Sequence, residues 1–402
     1  MNTRTRSSLI AATLVLGLVA APAVPAFAHS HAPAATAAAK KPLSKDDAKA
    51  LADAIADPRD AGATAALLRV TDKDGSTWNG ATGVHDLTSN RAADSEARFR
   101  AGSVTKVFTA AVVLQLASEH KVDLDRPIRA YLPELIPATY GTVTVRQLLN
   151  HTHGMASPDF PGTTVEEWYA NRLHVFNPEA MVKSALTKDP EFAPGTQQHY
   201  TNIGYTLAGL LIQKVTGDTY EHQVARRIIN PLHLRSTSFP GTDPRIHGPH
   251  NIGYQSFVRA DGTTELRDVS VWSATDGWAA GDLISSTADL TRFVRALFSG
   301  QVVRGPLLKE MFTLPKLDVG TASYSVGLTS WKFGTQQVWG KTGGRWGYNA
   351  GIAATPDLSR IAVYSINSTD AKAADRTPLI PRIAAAAFPT PPVTPPAAPP
   401  VG

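Results

Sequence analysis

The chain has 402 residues, 43% hydrophobic and 18% charged, enough apolar material for one large core or two smaller ones. Its net charge of +5, from 39 Lys+Arg against 34 Asp+Glu, is dispersed, with no basic run longer than a pair such as Lys40-Lys41, so no nucleic-acid partner is expected. There is no cysteine, which excludes disulfides, thiolate metal sites, a cysteine nucleophile and a lipidated cysteine.

Arg4 and Arg6 precede an apolar stretch from Leu9 to Ala21 and the small residues Ala26-Phe27-Ala28, the pattern of an export signal over residues 1–28. The apolar stretch is shorter than the ~20 residues a membrane-spanning helix needs, so the expected mature chain starts at His29, is secreted or extracytoplasmic, and keeps no stable membrane span. Residues 29–43, rich in Ala, His and Lys, read as a flexible linker. Ser44 is a candidate N-cap, with Asp46 and Asp47 in the first turn of a helix through Ala56. Thr64 to Val70 and Ser76 to Gly83 read as paired strands joined at Asp74-Gly75. Apolar spacing from Val104 to Leu116 is helical, and Val107, Phe108, Ala111, Val112 and Leu114 predict an amphipathic helix. Residues 118–281 mix helical patterns with Pro/Gly loops. Strand signals return at Tyr324 to Trp331, Gln336 to Trp339, Asn349 to Thr355 and Arg360 to Ile366. The expected fold is therefore α+β, with residues 44–117 and 282–388 joined in a sheet domain and 118–281 inserted as a mainly helical one. Residues 389–402, with seven prolines in the fourteen after Phe388, predict an extended polyproline-like spacer.

Three short strings carry the chemistry. Ser103-Val-Thr-Lys106 opens the helix after Gly102, which puts the lysine one turn from the serine on the same face. A serine hydroxyl needs a neighbouring base, and a helix N-terminus offers N–H groups to a developing oxyanion. Burial would lower the pKa of Lys106 and let it act as base or relay. The decoy Ser118-Glu-His-Lys121 lies at the charged end of the same helix without a preceding glycine. Tyr200-Thr-Asn202 follows the turn Ala193-Pro-Gly195 and precedes an apolar helix, so a phenol and an amide are aimed from a helix start; the second copy, Tyr169-Ala-Asn171, has no such turn. Lys341-Thr342-Gly343-Gly344 places a cation and a hydroxyl on a strand edge, suited to a substrate carboxylate, with glycines that allow close backbone approach. A phosphate-binding loop is excluded there, because Gly334 is one residue too far upstream and no helix follows.

With these strings, the sequence resembles the penicillin-recognising serine hydrolases, in the class C β-lactamase-like branch that includes secreted D-alanyl-D-alanine carboxypeptidases. Thr144-Val-Arg-Gln-Leu-Leu-Asn-His-Thr-His-Gly154, Ala193-Pro-Gly195, Ala280-Gly-Asp-Leu-Ile-Ser-Ser-Thr-Ala-Asp-Leu290 and Gly347-Tyr-Asn-Ala-Gly351 add to the likeness, which runs from about Ala61 to Phe388. The resemblance implies an antiparallel sheet flanked by helices plus an all-helical domain, with the cleft between them. It implies that Ser103 forms an acyl-enzyme, Lys106 and Tyr200 move protons, and Asn202 holds the acyl amide. Lys341 and Thr342 would face the substrate carboxylate, and the N–H groups of Ser103 and Gly344 would form the oxyanion hole.

Two departures stand out. Lys341 occupies a position where the carboxypeptidases often carry His, and the arginine they use on the preceding strand is missing from Thr329-Ser-Trp-Lys332, which leaves Lys332 or Arg345 as substitutes. A class A β-lactamase is disfavoured, because Glu167 precedes Tyr200 instead of following it. No G-x-S-x-G elbow or H-E-x-x-H zinc pair occurs, no cofactor is expected, and His151 and His153 read as loop structure. The expected activity is a serine-type D-Ala-D-Ala carboxypeptidase acting on peptidoglycan stem peptides and binding β-lactams. The alternatives are a β-lactamase or small-ester hydrolase on the same scaffold, or a non-catalytic wall- or penicillin-binding protein.

Overall fold

The structure is a computed structural model that describes residues 42–373 and 377–389. The expected signal segment, nearly all of the linker and the proline-rich tail beyond 389 lie outside the described residues. Ser44 accepts a hydrogen bond from the Asp47 N–H at 3.0 Å and starts α1, Lys45–Ala54. The next elements are β1 (Ala63–Asp72) and β2 (Thr77–Gly83), turned at Gly75 with φ +88°, a conformation glycine adopts at no steric cost. Next come the short β3, Phe99–Arg100, a 3₁₀ turn at Gly102–Val104 and α2, Thr105–Ser118. The middle of the chain supplies α3 (Val145–Leu149), α4 (Val165–Ala170), α5 (Pro178–Leu186), α6 (Ile203–Thr216) and α7 (Tyr220–Val224), the last continued by a π-helical turn to Ile229.

Between these helices and the returning strands lies a hairpin, β4 (Tyr254–Val258) and β5 (Thr264–Asp268), which the sequence pattern did not reveal. Its outer strand alternates exposed and half-buried residues of mixed polarity, and the Arg267 guanidinium covers the Phe257 ring at 4.2 Å, so a cation stands where an apolar residue is expected. Then follow β6 (Ile284–Ser285), α8 (Thr287–Phe298), α9 (Gly305–Glu310), β7 (Thr329–Phe333), β8 (Gln336–Arg345), β9 (Tyr348–Ala354), β10 (Arg360–Ser368) and α10 (Leu379–Ala387).

Six strands form one antiparallel sheet in the order β2-β1-β10-β9-β8-β7. Its centre pairs the first strand of the chain with the last, Leu67 opposite Ser365. One face carries α1 and α10, with Leu51, Ile55, Leu379 and Ile383 packed on Leu68, Val70 and Ile366. The opposite face packs on α2 and α8, where the Phe108 and Phe293 rings stack 3.7 Å apart. The α2 helix departs from the amphipathic expectation: Thr105 to Leu114 are buried without interruption. A sequence rich in Ala, Val and Thr on every side suits a helix enclosed by the sheet, α6 and α8 rather than one that lies on a surface.

Candidate active site

Ser103 lies on the 3₁₀ turn just before α2, and Lys106 follows in the first turn of the helix. The turn is pinned from below: the Thr105 hydroxyl donates to Gly102 O at 2.6 Å and accepts from the Leu283 N–H at 3.0 Å. From above it is approached by β8, whose pairing with β7 ends at Gly340. A Cβ on Gly102, whose φ is +52°, would stand 2.7 Å from Gly344 N, and one on Gly343 would stand 2.1 Å from Ala101 O. Only glycine permits this approach of two backbones.

Tyr200 and Asn202 come from the segment that enters α6. The Tyr200 hydroxyl donates to Ser103 Oγ at 2.7 Å. Lys106 Nζ stands 3.2 Å from Ser103 Oγ and donates to Asn202 Oδ1 at 2.7 Å and to Ala280 O at 2.8 Å. Burial, then the charges of Lys341, Lys372 and Arg345, hold the Lys106 pKa well below the lysine range. A neutral amine has two N–H donors and one lone pair. Two carbonyl oxygens take the first, and the serine hydroxyl can give its proton to the second. Lys341 Nζ lies 4.7 Å from the centre of the Tyr200 ring, and Lys106 Nζ lies 4.9 Å from it. The structure thus gathers Ser103, Tyr200, Asn202, Lys341, Thr342, Gly343 and Gly344 around one cleft of about 400 Å³, with Lys106 at its base.

A family profile described as Beta-lactamase matches residues 51–386. The chain belongs to that family. Among solved structures, a D-stereospecific amidohydrolase from Streptomyces sp. is 30% identical with a TM-score of 0.74, the match covering 85% of this chain and 98% of that one. A D-amino acid amidase from Ochrobactrum anthropi, complexed with D-phenylalanine, shares the fold at 23% identity and TM-score 0.72 over 85% and 98% of the two chains. The Protein flp of Staphylococcus aureus is 26% identical over 220 residues, 53% of this chain. That match spans 41% of the length of the staphylococcal protein.

In this Beta-lactamase-family chain His151 and His153 brace the loops. His153 Nδ1 accepts from the Met155 N–H at 2.9 Å, its Nε2 faces the Thr201 hydroxyl at 3.3 Å, and burial pushes its pKa down to about 3. A Cβ on Gly204 would meet the same ring at 2.9 Å. The His151 ring packs 4.5 Å from the Tyr200 ring. Trp278 and Tyr348 do not line the cleft, and Trp346 stacks on Trp272 beside it.

The two cations expected to replace the family arginine fare differently. Lys332 is exposed and absent from the lining, because Thr329 and Trp331 present the opposite strand face to the cleft. Arg345 does line it, but forms a two-pronged pair with Asp276, at 2.8 and 2.5 Å. Several lining residues escaped the sequence reading, Lys372 and Tyr324 among them. Lys372, in the turn after β10, is exposed at the rim and donates to Gly344 O at 3.3 Å, and its pKa is lowered to about 8, first by partial desolvation and then by the Arg345 charge. Tyr324 sits before β7, its ring 5.2 Å from that of Tyr200. Gln198 staples this region: its amide donates to Asn150 O and Tyr324 O and accepts from the Ser323 and Tyr324 N–H groups. None of these three lies in a motif, so only the folded contacts identify them.

Proposed function

We propose that the chain is a D-stereospecific serine hydrolase that releases the C-terminal residue of D-Ala-D-Ala peptides, as a peptidoglycan carboxypeptidase that also binds β-lactams. Ser103 attacks the scissile carbonyl as its proton passes to Lys106 or, through Tyr200, toward the departing amine. The Ser103 and Gly344 N–H groups receive the oxyanion, and Asn202 holds the acyl amide. Water then releases the acyl group from Ser103. The observation that carries the reading is the charge of the cleft: Lys341 and Lys372 line it, and among the described residues the one acidic side chain in the lining, Asp276, is already paired with Arg345. Such a rim suits a substrate that ends in a carboxylate.

The second reading is a D-amino acid amidase, favoured by the names of the structural neighbours. An amidase substrate carries an ammonium group and no carboxylate, so the charge of the cleft opposes it. The deciding experiment labels the protein with a fluorescent penicillin and then measures turnover of acyl-D-Ala-D-Ala, a D-amino acid amide, a cephalosporin and a nitrophenyl ester. Fastest turnover of the D-Ala-D-Ala peptide is expected. Preference for the amide would move the assignment to the amidases, fastest cephalosporin or ester hydrolysis would give the alternative enzymes, and labelling without turnover would leave a binding protein. Export belongs to the proposal on the strength of Arg4, Arg6 and the apolar run that follows. Sequencing the N-terminus of protein recovered from the culture medium checks it, with His29 expected first.

A further inference from the structure

A second cavity, of about 150 Å³, lies between α10 and the face of β8, β9 and β10 that turns away from α2. Its lining is largely apolar, and it shares Trp331, Thr342, Tyr364 and Ile380 with the cleft that holds Ser103. The space exists because Ala353, Ala362, Ala384 and Ala387 face one another where a sheet and a covering helix would ordinarily interdigitate larger side chains. The Tyr364 ring is seated against the backbone of Gly351, where a Cβ would come within 2.4 Å of it. A largely apolar opening of about 150 Å³ has room for a benzene-sized group.

We propose that this cavity receives the side chain of the residue released from the substrate, so that beside terminal D-alanine the enzyme accepts, and turns over faster, a terminal apolar D-amino acid of leucine or phenylalanine size. The inference rests on the carboxypeptidase reading for its choice of substrate end. Thr342 connects the two spaces: a terminal carboxylate held at its hydroxyl sets the adjoining Cα, and hence its side chain, at the mouth of the cavity. D-Alanine leaves the space unfilled. Burying a leucine or phenyl group there adds apolar contact in the transition state, where pocket occupancy of this size changes kcat/KM by roughly 10- to 200-fold.

The test compares kcat/KM for acyl-D-Ala-D-Ala, acyl-D-Ala-D-Leu and acyl-D-Ala-D-Phe in the wild type, in A384L, which fills the cavity, and in A385L, which adds the same bulk on the exposed side of the helix. The expected result is a D-Leu over D-Ala ratio of at least about 10 in the wild type and A385L, falling toward 1 in A384L. A wild-type ratio near 1, or a ratio unchanged in A384L, overturns the proposal. Thermal melts with free D-leucine and D-alanine read the cavity without turnover: D-leucine should raise the wild-type melting temperature more than D-alanine, and the advantage should vanish in A384L. If no D-terminated peptide is cleaved, the carboxypeptidase reading fails by itself. The melts then decide the cavity, and no D-leucine advantage sinks it.

Discussion

Replacing Gly343 with alanine measures how closely β8 must approach the Ser103 turn. The new Cβ would stand 2.1 Å from Ala101 O, 2.6 Å from Ser103 N and 2.9 Å from Gly102 C. All three are main-chain atoms of the turn that carries the nucleophile, so no rotamer change relieves the clash. Ordinary contact begins at 3.4 Å, so strand and turn must separate by about 1.3 Å along the first contact alone. Misplacing a reacting group by ~1 Å costs on the order of 10²-fold in rate, and withdrawing one oxyanion donor costs ~10²–10³-fold. Overpacking of this kind also costs ~1–3 kcal/mol of stability. Gly344→Ala is the internal comparison, because its Cβ would meet only Asn349 Nδ2 at 3.2 Å and Ala371 O at 3.3 Å, contacts relieved by a few tenths of an ångström. Single-turnover acylation by a fluorescent penicillin, with thermal melts alongside, should show G343A slowed at least ~100-fold and G344A less than ~10-fold. Acylation of G343A within about threefold of the wild type would refute the argument that the two backbones must touch.

Three further outcomes follow from the same geometry. Tyr200→Phe removes the hydroxyl 2.7 Å from Ser103 Oγ and should slow acylation by ~10²–10⁴-fold with little change in melting temperature; a loss below about fivefold would move proton transfer to Lys106 alone. Acylation needs the unprotonated Lys106 amine, whose pKa burial holds well below the ordinary 10.5. The rate should therefore stay level as pH falls through the usual lysine range and decline only at the depressed value, and an acid limb near 10.5 would contradict the assignment. Lys372 is a cation below about pH 8 and loses its charge above it. The KM for a carboxylate-bearing peptide should rise as pH passes about 8 while that for a D-amino acid amide does not, and K372A should remove the difference.

The strings that carry chemistry were legible because each pairs a reactive side chain with a backbone requirement visible in its neighbours. Gly102 before Ser103, Pro194-Gly195 before Tyr200 and Gly343-Gly344 after Lys341 all mark places where the main chain turns or approaches another segment. The strands of the main sheet were legible through β-branched and aromatic runs, and α1 through its N-cap Ser44. What escaped was set by tertiary context. The β4–β5 hairpin has no clean alternation, because Arg267 both pairs with Glu166 at 2.8 Å and shields Phe257. Lys372 is one lysine in a turn, distinguished only by the approach of that turn to Gly344. Gln198 joins its own segment to Asn150, 48 residues before it, and to Tyr324, 126 residues after it, a relation no local window contains.

The burial of α2 on all sides joins stability to chemistry in one element. An amphipathic helix would keep one face in water, and a lysine in its first turn would reach solvent and stay charged. Here the sheet, α6 and α8 enclose the helix, so Lys106 is desolvated by the same packing that seats Val107, Phe108, Val112 and Leu116 in the core. Desolvation disfavours the ammonium, and the Ala280 and Asn202 oxygens take up the two N–H groups of the amine that remains. The turn carrying Ser103 inherits its rigidity from the same helix, since Thr105 ties it to Leu283 and Thr109 ties the next turn to Ala279 at 2.6 Å. A core substitution that loosens α2, such as Phe108→Ala against the Phe293 ring, therefore acts on two quantities together. It lowers stability by ~3–5 kcal/mol, and by admitting water it raises the Lys106 pKa, so the acid limb of acylation moves to higher pH even though residue 108 touches neither serine nor substrate.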